Sequence, residues 1–416
     1  MTTQASDSGH DASEPTPKIP RQIWVLVSAA FLIALGYGLI APIIPQFAVS
    51  FGVSMAAAGA VVSVFSAARL FGAPWAGRLV DKLGTRRVYL TGLIIVAVTT
   101  ALVAATQEFW QILVLRTLAG LGSTMFSISA MGLIVKVAPP EIRGRASSVY
   151  GSAFLLGNVI GPVVGAGLSF LGMRWPFVIY GIGVGLAAFV VWVSMPRSNA
   201  DVKKETLPPM QLSEAWEDSA YRAVLVSNFS HGWINMGVRV AVLPLFAAAV
   251  FTHGGAASGF ALAAFALGNM IALQFSGRLA DTLGRKPMIL AGLLSTAVFT
   301  SALGFADSFW PLIITSALAG VGGGLLNPGQ QAVLADIIGN NRSGGKVLST
   351  FQMSMDAGQI LGPILIGALA ETYGFQTAFM ACGVLALVAA GVWLTGRETL
   401  SSKQSELKTI KGEKSE

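Results

Sequence analysis

The chain runs to 416 residues, 54% hydrophobic and only 11% charged, with a formal net charge of +7 and a mean hydropathy of +0.68. Soluble domains carry about a quarter of their residues as charges, so a soluble enzyme or binding module is excluded and a membrane protein is indicated. The positive charge is not that of a nucleic-acid binder, because it is confined to alternate loops.

Residues 1–21 are polar and proline-containing, with no basic n-region or small-residue cleavage site before the first apolar block, and read as a disordered cytoplasmic tail. Apolar runs of about 20 residues or more, the length that crosses a hydrocarbon core as helix, are centred near Leu35, Val64, Ala97, Phe126, Gly157 and Gly183. Six more follow near Val240, Ala266, Thr296, Gly322, Gln359 and Leu387. They lack the period-two alternation of barrel strands. The pattern predicts an all-α integral membrane protein with a six-helix bundle over 22–196, a second over 221–396, and a cytoplasmic tail over 397–416. The linker, 197–220, is too short for a folded domain and holds at most one amphipathic turn near Leu212 to Trp216. Basic residues cluster at Lys18 to Arg21, Arg78 to Arg87, Lys136 to Arg145, Arg197 to Lys204, Arg278 to Lys286, Arg342 to Lys346 and from Arg397 onward, while Arg174 is the one basic residue in the opposite loops. The positive-inside rule then puts both termini in the cytoplasm of a multi-pass inner (cytoplasmic) membrane protein. The single cysteine, Cys382, lies in an apolar run and reads as a packing residue.

The two halves are copies. Gly77-Arg78-Leu79-Val80-Asp81-Lys82-Leu83-Gly84-Thr85-Arg86-Arg87 returns two hundred positions later as Gly277-Arg278-Leu279-Ala280-Asp281-Thr282-Leu283-Gly284-Arg285-Lys286-Pro287. Leu118-Ala119-Gly120 answers Leu318-Ala319-Gly320, Gly161-Pro162 answers Gly362-Pro363, and Pro45 with Phe47 answers Pro244 with Phe246. Paired bundles of like orientation are what secondary transporters use to build a midplane site. Gly77 and Gly84 would allow a tight turn between helices, and Asp81 is an anion able to sit at a helix N-terminus. Gly157, Gly161 and Gly165, four apart, share one helix face that lets another helix come close, and Pro162 adds a kink.

On these residues the chain resembles the major facilitator superfamily over about Trp24 to Thr395, and within it the twelve-helix drug:proton antiporters. The Gly77 to Arg87 stretch is similar to the family's motif between helices two and three. Arg116-Thr117-Leu118-Ala119-Gly120-Leu121-Gly122 matches its fourth-helix motif, and Leu35-Gly36-Tyr37-Gly38 with Pro42 and Pro45 resembles its first-helix motif. Gly157 to Ala166 matches the antiporters' fifth-helix motif, with Ala166 in place of the last glycine. The resemblance implies that Asp81 and Arg78 form a gate with the start of helix eleven, that Asp281 and Arg278 do the same against helix five, and that Arg116 takes part in proton transfer or lines the cavity. Setting topology alone is the other reading of the basic stretches.

Ionisable groups at membrane depth are the remaining signal, because each is disfavoured by roughly 2.5–3.5 kcal/mol at a helix centre on insertion scales. Asp356 lies ten residues past Lys346, about 15 Å along the helix. A carboxyl withdrawn from water holds its proton to higher pH, so Asp356 is the candidate proton site, with an ion pair to a buried arginine as the other reading. His231, which titrates near neutrality when unperturbed, is next. Arg69 reads as snorkelling to the cytoplasmic surface, whereas Arg239 lies deeper and reads equally as cavity or packing. Tyr37, Arg116, Asn235, Arg239, Asn327, Gln330, Gln352, Asp356 and Gln359 make the candidate cavity lining, although Asn235 and Asn327 could equally be interhelical hydrogen bonds. With Arg116, Arg239 and Asp356 in one cavity its charge is about +1, and helix one offers no acid between Trp24 and Gln46, so a neutral, zwitterionic or anionic substrate is expected.

Nothing indicates an enzyme. Gly345-Lys346 fails the phosphate-loop pattern, because Asn340 stands where a glycine is needed. His10, His231 and His253 are too scattered for a metal site. No cofactor is called for, so the expected partners are a small-molecule substrate, protons and the lipid bilayer, with no nucleic acid, and the expected state is a monomer. Export of an amphipathic compound against proton entry is the leading expectation. A proton-coupled or facilitative sugar or metabolite importer and a lipid translocase are the alternatives.

Overall fold

A computed structural model describes residues 19–137, 143–195, 208, 210–339, 342 and 345–400. Among them, twelve helices are long and apolar enough to span a membrane. They are α1 (Arg21–Ile40), α2 (Met55–Leu83), α3 (Thr85–Val103), α4 (Phe109–Val137), α5 (Arg143–Gly167) and α6 (Trp175–Ser194) in the first half. The second half holds α7 (Ser219–Val250), α8 (Gly254–Leu283), α9 (Arg285–Leu303), α10 (Phe309–Ile338), α11 (Gly345–Tyr373) and α12 (Phe375–Thr395). A helix meets every backbone hydrogen bond within itself, which hydrocarbon demands. At the water-facing ends side chains take over: Ser54 accepts from the N–H of Ala57 ahead of α2, and Asp218 accepts from Ala220 at the start of α7. The linker carries one short helix, Leu212–Glu217, where an amphipathic turn is expected.

The basic stretch after α2 is more helical than its glycines suggest. Gly77 lies inside α2 and Gly277 inside α8, and each corner is made by one residue, Gly84 at φ +84° and Gly284 at φ +109°. Both values lie where only glycine sits without strain. The expectation that Gly77 helps to make the turn is corrected: continuing the helix to Leu83 keeps its N–H and C=O groups paired.

Within each half the helices pair in the same order. α1 packs on α5, α2 on α4, and α3 on α4 and α6; α7 packs on α11, α8 on α10, and α9 on α10 and α12. The glycine face of α5 is spent on α1: a Cβ on Gly157, Gly161 or Gly165 would lie 2.6, 2.4 or 2.7 Å from the carbonyls of Phe31, Leu35 and Leu39. Gly358 and Gly362 of α11 meet the carbonyls of Phe229 and Trp233 in α7 in the same way. Leu35 and Gly38, three apart, meet Gly161, whereas Trp233 and Gly237, four apart, meet Gly362. The second copy therefore has one extra residue in this turn. It is absorbed as a π-helix, Ile234–Val242, in the middle of α7.

The halves meet along α2 with α11 and α5 with α8. A Cβ on Gly59 would come 2.1 Å from the Pro363 carbonyl, and one on Gly259 would come 2.8 Å from that of Pro162. Ser63 Oγ donates to the Ile360 carbonyl at 2.6 Å beside the first crossing. Beyond the crossings, Gln46 Nε2 reaches the Pro244 carbonyl at 3.4 Å. All these contacts lie toward the end of the bundle holding Gly52, His253 and Gly374, which is closed. Toward the end carrying the termini and the linker, Arg69, Phe154 and Gln352 are exposed.

Gly59→Ala places a methyl inside contact distance of backbone that cannot rotate away. It is expected to shift the population at least about tenfold (~1.4 kcal/mol) toward a form open at the Gly52 end. Spin labels at positions 50 and 252 in a Cys382→Ser background read this as a longer distance in double electron–electron resonance; an unchanged distribution would show that the crossing does not hold the closed end.

Candidate functional site

A central cavity of about 470 Å³ lies between the halves. A larger groove of about 680 Å³ runs between α2 and α4, but it is lined by apolar side chains and Thr117, with no charged group. The charges converge on the central cavity.

Each half supplies one guanidinium seated on a phenylalanine. Arg116 of α4 lies with Cζ 4.3 Å from the centre of the Phe65 ring, and Arg239, on the π-helical turn of α7, lies 3.5 Å from Phe265. Phe65 and Phe265 are two hundred apart, the same place in the repeat, although their arginines come from different helices. Both Nε atoms are buried without a hydrogen-bond partner among the described residues, and both side chains line the cavity. No carboxylate pairs with either arginine among the described residues. The only acid lining the cavity is Asp356, whose Oδ1 accepts from Gln352 Nε2 one helical turn earlier at 3.0 Å.

Of the expected lining residues, Tyr37, Arg116, Asn235, Arg239, Gln352, Asp356 and Gln359 line this cavity. Tyr37 Oη donates to Met236 Sδ at 3.7 Å, joining α1 to the π turn of α7, and Gln359 Oε1 accepts from Ser66 Oγ at 3.4 Å. Two residues do not belong. Gln330 is buried in the second half, donating to Ser227 Oγ at 2.8 Å, and Asn327 is not in the cavity wall either. His231 is also behind the wall, in a small chamber of the second half that Arg239 separates from the central cavity.

Arg69, read from sequence as snorkelling, is exposed and lines the cavity from α2, and Asn269, at the same repeat position, lines it from α8. Its depth was readable: Arg69 lies 15 residues after Ser54, the cap of α2, and so about 22 Å into the helix.

The side chains of Asp81 and Asp281 lie outside the described residues. The basic residues around them serve their own halves. Arg86 donates to the Trp192 carbonyl at the end of α6 at 2.6 Å, and Lys286 to the Leu394 and Gly396 carbonyls at the end of α12 at 2.9 and 2.8 Å. Arg78 is exposed with Cζ 5.7 Å from the Trp75 ring, and Arg278 is exposed. Arg285 is buried and ion-paired to Asp336 of α10 at 3.4 Å. Glu398, past α12, accepts from the N–H groups of Arg285 and Lys286 at 3.0 Å each and caps α9.

The chain matches the Major Facilitator Superfamily family description over residues 26–251 and 224–415. The Quinolone resistance protein NorA of Staphylococcus aureus (strain MRSA252) is 24% identical over 400 residues, 93% of this chain and 100% of that one. The Multidrug resistance protein MdtG of Salmonella choleraesuis (strain SC-B67) is 25% identical over 386 residues, 90% of this chain and 95% of that one. Among solved structures, a bacterial homologue of the human lysosomal transporter Spinster, inward-facing and unoccupied, superposes with a TM-score of 0.73 at 18% identity, covering 92% of this chain and 99% of that chain. The peptide transporter POT superposes with a TM-score of 0.75 at 14% identity, covering 92% and 95%.

Asp336→Ala removes a buried carboxylate that contacts both Arg285 and Thr399 and is expected to destabilise the purified protein by up to ~3 kcal/mol, seen as a lower Tm. The exposed pair Arg342–Glu214 is worth at most ~1 kcal/mol, so Glu214→Ala should barely move the Tm.

Proposed function

The chain belongs to the Major Facilitator Superfamily, and from that membership we propose that it exports an amphipathic zwitterion in exchange for protons. That it is a secondary transporter follows from the family. The finer reading rests on one observation, the charge lining the cavity. Arg69, Arg116 and Arg239 face Asp356, which leaves +2 with Asp356 ionised and +3 when it is protonated.

The sign of the coupling selects the substrate. A pure anion binds better when Asp356 takes up a proton, so proton and substrate favour each other and travel together. A zwitterion places its ammonium on Asp356 and its acid group on Arg116 or Arg239. Its ammonium then competes with the proton for one carboxylate, which is the condition for exchange. A lipophilic cation gains only Asp356 and is opposed by three arginines. The resistance proteins named above are consistent with export, and the neutral and anionic substrates allowed by sequence give way to the zwitterion on this argument.

Basic residues in alternate loops put the termini in the cytoplasm, so the open end faces inward. When that end closes, Asp81 docks at the start of α11, the helix that also carries Asp356. Gate and proton site then move as one rod.

Purified protein in liposomes under an imposed proton gradient tests this with one amphipathic scaffold prepared as a zwitterion, as its N-acylated anion and as its esterified cation. The zwitterion should move against the proton flow. Asp356→Asn should lower gradient-driven flux ~100-fold (~2.7 kcal/mol) and weaken binding of the zwitterion about tenfold (~1.4 kcal/mol), while the N-acylated anion binds no more weakly. Anion uptake running with the protons would instead support the importer reading, and equal transport of the cation would sink the charge argument. Asp81→Ala should slow turnover about tenfold with affinity nearly intact; weaker binding at normal turnover would break the link between gate and site.

A further inference from the structure

The two halves differ most where they ought to match. Glycine contacts fix the register: Gly92 meets the Gly122 carbonyl as Gly292 meets that of Gly322, and Gly120 meets the Phe65 carbonyl as Gly320 meets that of Phe265. On this register Arg116 corresponds to Ser316 and Val96 to Thr296. Allowing for the extra residue of the π turn, Ile33 corresponds to His231. In the first half the Arg116 side chain fills the space over Phe65. In the second, that position carries a short hydroxyl, and the guanidinium on Phe265 arrives from α7 instead.

The exchange leaves a chamber inside the second half, among α7, α8, α9 and α10, with His231, Arg239, Thr296, Thr300 and Ser316 in its wall. It offers about 10 Å³ for the centre of a water-sized sphere, the room one water needs and too little for a larger ion. Three of its polar atoms, Arg239 Nε, Thr296 Oγ1 and Ser316 Oγ, are buried with no protein partner among the described residues. Ser316 is 1% exposed, Thr296 and His231 each 7%, and the His231 side chain makes no hydrogen bond among the described residues. Buried polar atoms without partners are rare in folded proteins, and a shared water is the usual remedy.

We propose that this chamber is a hydration site: one ordered water accepts from Arg239 Nε and exchanges hydrogen bonds with Thr296, Ser316 and His231. Arg239 borders both the chamber and the central cavity. The water therefore holds the inner edge of the guanidinium and leaves its terminal nitrogens for the cavity. Thr296 and Ser316 are positioning residues acting through Arg239. The site stands whatever the substrate or direction of transport.

The sign of a stability change tests it. Thr296→Val and Ser316→Ala replace hydroxyls by apolar groups of similar shape. In a dry chamber, removing unpaired buried hydroxyls is neutral or stabilising, and the Tm would hold or rise. With a shared water, each variant should lower the Tm by a few degrees, and the double variant should lose less than the sum, because one water is lost once. Thr296→Ser, which keeps the hydroxyl, should retain more of the wild-type Tm than Thr296→Val. X-ray radiolytic labelling of the wild-type protein needs no variant to fold. Oxidation of buried His231 or Phe265 by an activated neighbouring water is expected, and protection of both would overturn the proposal, as would a Tm raised by both single variants. The positioning role is read from binding of an anion-bearing probe: the double variant should bind it several-fold more weakly, and unchanged affinity would leave the water structural and the positioning claim wrong.

Discussion

Two helix crossings hold the halves together at one end, and both are backbone contacts made through glycine. Gly59 lies against the Pro363 carbonyl and Gly259 against that of Pro162. Hydrocarbon gives no hydrophobic drive to join helices, so association rests on close packing and hydrogen bonds. A side chain at either glycine would remove the packing. Further contacts between the halves, Tyr37 with Met236 and Ser66 with Gln359, border the central cavity. The internal glycine faces, Gly157 to Gly165 on α1 and Gly358 with Gly362 on α7, bring the helices within each half equally close.

The second constraint is electrostatic. Three arginines at membrane depth face one carboxylate. A guanidinium without a counter-ion is tolerated there because its face lies on an aromatic ring, as Arg116 does on Phe65 and Arg239 on Phe265, while its fork remains in the cavity. The arrangement stores an unmet demand for negative charge at the point where the halves diverge. Gln352 donates to Asp356 from one turn away, and among the described residues no ion pair holds this carboxylate, as the proposed exchange of proton and ammonium requires.

Helices, their count and the doubled plan were legible because each is written in a local pattern. The run lengths and loop charges are local, and the repeat shows as short motifs, such as Gly161-Pro162, that return at a fixed distance as Gly362-Pro363. The site was legible only in part. Asp356, Arg116 and Tyr37 declared themselves by polarity at depth. Asn327 and Gln330 were equally polar and equally deep, yet the structure turns Gln330 onto Ser227 and leaves both out of the cavity wall. In a helix apolar all round, nothing local says which face looks inward. Arg69 was ambiguous for a different reason, since a long side chain about four turns into α2 can reach water or a cavity. The repeat offered a cue that polarity did not: Phe65 with Phe265 and Arg69 with Asn269 stand two hundred apart.

By itself the sequence determined the membrane environment, the twelve spans, the two-fold internal repeat and the family, because these follow from composition and from short motifs, some of them returning at a fixed spacing. Only the tertiary structure decided helix rotation, the closed end, the π turn of α7 and the partners of Arg285, Arg239 and His231. Those depend on contacts between different helices, from Arg239 with Phe265 and Arg285 with Asp336 to Tyr37 with Met236 and Ser63 with Ile360. Rotating a helix by a single residue moves a side chain about 100°, which is the difference between a cavity and a packed interface and leaves no mark in composition.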